Sequence, residues 1–131
     1  MGESRIRKID HVVLESHPEA EGALRWFYGK LVRLEELPPK SAHGSAPRML
    51  CFRSVGIELR VRLVPAPVVE AMACRVRLAV GSLTACAKAL DEKRIEYEWL
   101  HGSSWTDQML TLLDPGGNRV ALIRDWPQVP F

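Results

Sequence analysis

Asp114-Pro115-Gly116-Gly117-Asn118-Arg119-Val120-Ala121-Leu122-Ile123-Arg124 is a tight turn running into a short apolar strand, and its reading decides how the rest of the chain is taken. Proline presets one backbone dihedral, while glycine and asparagine accept the positive φ that strains other residues, so the turn closes sharply. The strand leaving it, Val120 to Ile123, sends alternate side chains to opposite faces, one able to pack on a core and the other to line a pocket. Ala121 is the position of interest on it. The glycine spacing, with a strand rather than a helix after it, excludes a phosphate loop and a dinucleotide fingerprint.

Upstream, Ile9-Asp10-His11-Val12-Val13-Leu14-Glu15 reads as a strand rich in β-branched residues. From Pro18 to Leu31, the residues Ala20, Leu24, Phe27 and Leu31 recur at helical spacing and give one apolar face, with Glu19 and Glu21 in the first turn. A breaker-rich loop from Pro38 to Pro47 follows, with room for a short strand before it around Val32 to Leu37. Arg48 to Ser54 and Ile57 to Val64 then form a hairpin through Val55-Gly56. After the connector Pro65-Ala66-Pro67 the order recurs: a strand from Arg75 to Val80, a helix capped by Ser82, then strands at Ile95 to Leu100, Gln108 to Leu113 and Val120 to Ile123. Each half is thus β-α-β-β-β. Setting His11 against Arg75 and Glu58 against Ala121 gives offsets of 64 and 63, close enough to indicate a duplicated module.

With 47% hydrophobic and 26% charged residues, the composition is that of a globular protein with its own core. We expect a single domain, 1–131, with modules at approximately 6–64 and 73–125. A net charge of +2 is too small to imply nucleic-acid binding. No apolar run approaches bilayer length and Met1-Gly2-Glu3-Ser4-Arg5 lacks the apolar stretch of a signal peptide, so no membrane partner and a cytoplasmic location are expected. Cys51, Cys74 and Cys86 are odd in number and lack metal-type spacing, which suits reduced thiols acting as small apolar residues.

Strand-histidine in Ile9 to Leu14, the helix bearing Trp26-Phe27-Tyr28-Gly29-Lys30-Leu31, and Leu113-Asp114-Pro115-Gly116-Gly117-Asn118 before the last strand resemble the vicinal oxygen chelate superfamily. That superfamily contains glyoxalase I, bleomycin-resistance proteins, fosfomycin-resistance enzymes and extradiol dioxygenases. The resemblance covers nearly the whole chain. It implies an α+β fold of two βαβββ modules whose curved sheets form a cup with helices on the outer face. In metal-dependent relatives the ligands come from the first and last strands of both modules, which carries over here to His11, Glu58, Arg75 and Ala121. Arginine has no lone pair to give and stays cationic, and alanine has no donor atom, so a divalent metal is disfavoured and no cofactor is expected.

Strand alternation gives an independent account of the cup lining. Ile57, Leu59, Val61 and Leu63 share one face, leaving Glu58, Arg60 and Arg62 on the other, while Val76, Leu78 and Val80 leave Arg75, Arg77 and Ala79. These charges suit either a solvated sheet face in which arginine and glutamate pair, or a site in which Arg75 replaces the metal's charge, bridges to Glu58 and binds an anion. His11 is either a packed, hydrogen-bonded residue or a base near neutral pH. Trp105, in a rim loop, is placed to stack on a planar ligand. The expected function is metal-free binding or carriage of a planar or acidic small molecule, with a homodimer completing the cup and ligand contacts from His11, Glu58, Arg60, Arg75, Arg77 and Trp105. The alternative is a cofactor-free or divalent-metal-dependent lyase, isomerase or dioxygenase in the same cup, with His11 and Glu58 catalytic.

Overall fold

The computed structural model describes residues 11–40, 47–101 and 108–124. β1 (His11–Ser16) leads into a helical segment of three successive pitches: a 3-10 turn at Pro18–Ala20, α1 (Glu21–Leu24) and a π-helical stretch at Arg25–Leu31. β2 (Glu35–Lys40), β3 (Arg48–Ser54) and β4 (Ile57–Leu63) complete the first module. The second contains β5 (Val76–Val80), α2 (Leu83–Glu92), β6 (Glu98–Leu100), β7 (Met109–Leu113) and β8 (Arg119–Arg124). Each module makes a four-stranded mixed sheet in the same order, β1-β4-β3-β2 and β5-β8-β7-β6, with its first and last strands parallel. The α+β architecture of two βαβββ modules is therefore the one the sequence predicts. Among the described residues no helix is long and apolar enough to cross a membrane.

Burial follows the predicted alternation. Leu59, Val61 and Leu63 of β4 and Leu78 and Val80 of β5 are buried against the helical layer, whose Leu24, Phe27, Tyr28 and Leu31 meet Leu83, Cys86, Ala87 and Leu90 of α2 in one continuous core. Ile57, at the start of β4, departs from the pattern and is partly exposed. Ser82 caps α2 as expected, its hydroxyl accepting from the Ala85 N–H at 3.1 Å. β2 extends through Pro38-Pro39, where the sequence suggests a loop. Proline removes ladder donors and is tolerated on an edge strand, and the pairing of β2 with β3 shifts register between Leu37 and Lys40.

Each helical layer ends in a left-handed arginine, Arg33 (φ 67°) and Arg94 (φ 57°), where glycine is the usual choice. The next residue's N–H bonds back to the helix, Leu34 to the Tyr28 carbonyl and Ile95 to that of Leu90, each at 2.9 Å.

The Pro-Gly-Gly-Asn turn joins the two modules. Buried Asp114 accepts from the Tyr28 hydroxyl at 2.5 Å through Oδ2, and from the N–H groups of Gly116 and Asn118, both at 2.9 Å, through Oδ1. The Asn118 side chain donates to the Glu15 carbonyl at 2.8 Å and accepts from the Glu70 N–H at 3.2 Å, so it grips both β1 and the connector. Gly117 adopts φ 97°, and a Cβ on Gly116 would lie 2.7 Å from Ser16 Cβ and Oγ. Both glycines are thus required, one by its dihedral and one by proximity.

Gly116→Ala should lower stability by about 1–3 kcal/mol through this overlap, with added Ser16→Gly restoring most of it in urea unfolding. Equal midpoints for wild type and the single variant would contradict the close approach. Burial, opposed by bonds from Tyr28 and the turn's N–H groups, raises the Asp114 carboxyl above its ordinary value. A carboxyl raised in this way favours folding fully below its ordinary pKa, and that contribution is lost as pH climbs through the raised value. Asp114→Asn removes the titration, so wild type should lose stability relative to the variant as pH rises above the ordinary carboxylate range; a pH-independent gap would refute the assignment.

Candidate functional site

The sheet faces turned away from the helices differ between the modules. In the first sheet one rung carries His11, Glu58, Arg53 and Glu35 on neighbouring strands, and the next on that face carries Val13, Arg60 and Cys51. Glu58 pairs with Arg60, two residues along the same strand and about 6.6 Å away by rise, within reach of two long side chains. Glu15 pairs across the strands with Arg62 at 3.0 Å, and Glu35 lies 3.4 Å from Arg53. Carboxylates within the same sheet thus offset the expected positive field. Glu15 escapes the sequence reading, although alternation from His11 through Val13 places it on this face.

The second sheet is plainer. Its rungs are Arg77, Ala121, Thr111 and Glu98, then Ala79, Ile123, Met109 and Leu100. Ala121 shares its rung with Arg77, whereas Arg75 precedes β5 and donates its backbone N–H to the Arg119 carbonyl at 2.9 Å. The expected bridge from Glu58 to Arg75 does not form; Glu58 has Arg60 as a partner instead. Arg75 acts toward the connector. The N–H groups of Ala73 and Met72 hold the Glu70 carboxyl below its ordinary value, and the Arg75 charge adds to that effect.

Between the modules lies a cavity of about 140 Å³ with Val12, Phe52, Leu59 and Leu78 among its walls and Ser54, Glu58 and Arg77 as polar groups. Its size matches the roughly 150 Å³ apolar cavity that admits benzene in another protein. Among the described residues Arg77 makes no ion pair or hydrogen bond, so its guanidinium is available to a ligand. The structure brings Glu58 and Arg77 to one cavity, keeps Arg60 paired beside it on β4, and leaves Arg75 off its lining. His11 is exposed at the start of β1, level with Glu58. Trp105 lies outside the described residues.

No family model and no curated protein matches the sequence. Solved structures do. A glyoxalase family protein from Bacillus anthracis superposes with a TM-score of 0.71 at 22% identity, over 95% of this chain and 99% of that one. The fosfomycin resistance protein FosX from Listeria monocytogenes, solved with Mn(II) and a dihydroxypropylphosphonic acid, gives 0.72 at 11% identity, over 92% and 94%. TnmS3, an antibiotic binding protein from Streptomyces sp. CB03234, gives 0.65 at 18% identity, over 95% and 100%.

The chain has the vicinal oxygen chelate fold. Within it, the residues present do not fit a metal held by both modules. Glu58 is engaged by Arg60, and the two parallel strands of the second sheet contribute only a guanidinium and a methyl group at the rung of Arg77 and Ala121, with the Glu98 carboxylate two strands beyond Ala121. Among the described residues no group of three or more His, Cys, Asp or Glu side chains converges as metal ligands would. All three cysteines are reduced thiols.

Proposed function

We propose that this protein binds or carries a planar or acidic small molecule without a metal, in the manner of the glyoxalase and bleomycin-resistance type. The observation that carries this reading is the cavity between the modules, apolar on most walls, with Arg77, unpaired among the described residues, beside the Glu58–Arg60 pair. Arg77 is the anion-binding group. A carboxylate there gains a charge-assisted bond, while Glu58 repels an anion placed on its side and so orients the ligand. His11, level with Glu58, flanks the site, and a second copy of the chain closes the open sheet face. The likeness to an antibiotic binding protein supports a binding role, at the level of fold. A cofactor-free or divalent-metal-dependent lyase, isomerase or dioxygenase is the competing reading, with Glu58 and His11 as its acid–base groups.

Benzoate matches the cavity in size and charge and is a suitable first probe. Calorimetric titration should show binding that weakens about tenfold or more in Arg77→Ala, the loss expected for one hydrogen bond to a charged group. An unchanged affinity would remove Arg77 from the site. Protein purified without chelators should contain no stoichiometric divalent ion; a tightly held equivalent would overturn the metal-free reading.

A further inference from the structure

A second cleft opens on the helix-covered side, between the end of the first helical layer and the start of α2. It measures about 380 Å³, inside the usual range for small-molecule sites, whereas the cavity between the modules falls below it. Trp26, Val32, Val80 and Ala89 supply apolar wall, and the buried thiol of Cys86 faces it 3.9 Å from the Leu31 carbonyl. Its charged lining is all of one sign. Lys30 and Arg33 line it, no carboxylate does, and among the described residues neither cation has an ion-pair partner.

Arg33 and Cys86 line the cleft together; burial raises the Cys86 thiol, and the Arg33 guanidinium opposes that rise. The Lys93 ammonium lies 5.0 Å from the centre of the Trp26 ring. That contact leaves a third cation beside the aromatic wall, and an exposed cation–π pair is weak enough to yield to a ligand. A flat ring seated on Trp26 would release Lys93 toward an acidic substituent, while Lys30 and Arg33 approach from the rim.

We propose that this cleft is a second binding site, separate from the cavity between the modules, for a small aromatic anion. Shared recognition by a stacking surface and unpaired cations fits a ring bearing a sulfonate, carboxylate or phosphate. The site uses no residue of the other cavity.

Naphthalene-1-sulfonate tests it by calorimetry, with 1-naphthalenemethanol and inorganic phosphate as probes lacking one half of the chemistry. The intact chain should bind the sulfonate at least tenfold more tightly than either partial probe. The double variant Lys30→Glu, Arg33→Glu should weaken that binding at least tenfold, and so should Ala85→Trp, which fills the cleft from the exposed side of α2. Circular dichroism and thermal melting establish that both variants are folded, and Ala85→Trp keeps the test open should the double variant fail to fold. Absence of sulfonate binding at millimolar concentration, equal affinity for a partial probe, or unchanged affinity in a folded variant would each overturn the proposal.

Discussion

The Tyr28 hydroxyl bonded to the Asp114 carboxylate is the contact on which the arrangement of the modules depends. It links the helical layer of the first module to the last turn of the second, 86 residues away in sequence. The carboxylate is buried and would be costly alone, yet three donors satisfy it: the Tyr28 hydroxyl and the Gly116 and Asn118 N–H groups. Because those same bonds shape the turn, the start of β8 and the docking of the modules are set together. Asn118 extends the hold to β1 and the connector, and Arg119 continues it by donating its N–H to the Glu70 carbonyl and its side chain to that of Ala71. The cavity between the modules inherits its shape from this clamp.

The sheets present opposite surfaces to a ligand. On the first, arginines and glutamates alternate and offset one another, Glu15 with Arg62 and Glu58 with Arg60, so net attraction for an anion there is small. On the second, Arg77 shares its rung with Ala121, Thr111 and, two strands beyond Ala121, Glu98, and among the described residues it has no such partner. An anion approaching Arg77 displaces no ion-pair partner among the described residues, whereas one approaching Arg60 or Arg62 competes with Glu58 or Glu15. In the proposed binding role, specificity would fall to Arg77 even though β4 carries more charge.

The order of elements was legible in the sequence because each signal was local: β-branched runs, the Ser82 cap, and the apolar stripe through Leu24, Phe27 and Leu31. Strand alternation also assigned most core positions correctly. Pairing across strands was less accessible. Matching His11 to Arg75 and Glu58 to Ala121 relied on nearly equal offsets, but the parallel ladder of the second sheet puts Arg77 level with Ala121. A shift of two residues preserves the face of every side chain, so alternation cannot detect it. The Glu58–Arg60 pair is illegible for a related reason: alternation puts both residues on one face but does not say whether Glu58 pairs across the cup or along its own strand. Tyr28 looked like an ordinary member of an aromatic helix, since its partner is distant in sequence.

The clamp also explains how the fold can be retained while the chemistry of the rung changes. The turn that starts β8 is anchored through Asp114, Gly116, Asn118 and Arg119, before the chain reaches Ala121, and the ladders to β5 and β7 hold the rest of the strand. The residue at 121 has to suit a strand and a buried position, and a methyl group there leaves the clamp's bonds untouched. On the opposing strand Arg77 is held by the backbone ladder, with its side chain outside the core. Fold and site are thus carried by separate residues on the same two strands. Superposition on metal-bearing and antibiotic-binding proteins alike follows from the first set, and only the second bears on what this protein holds.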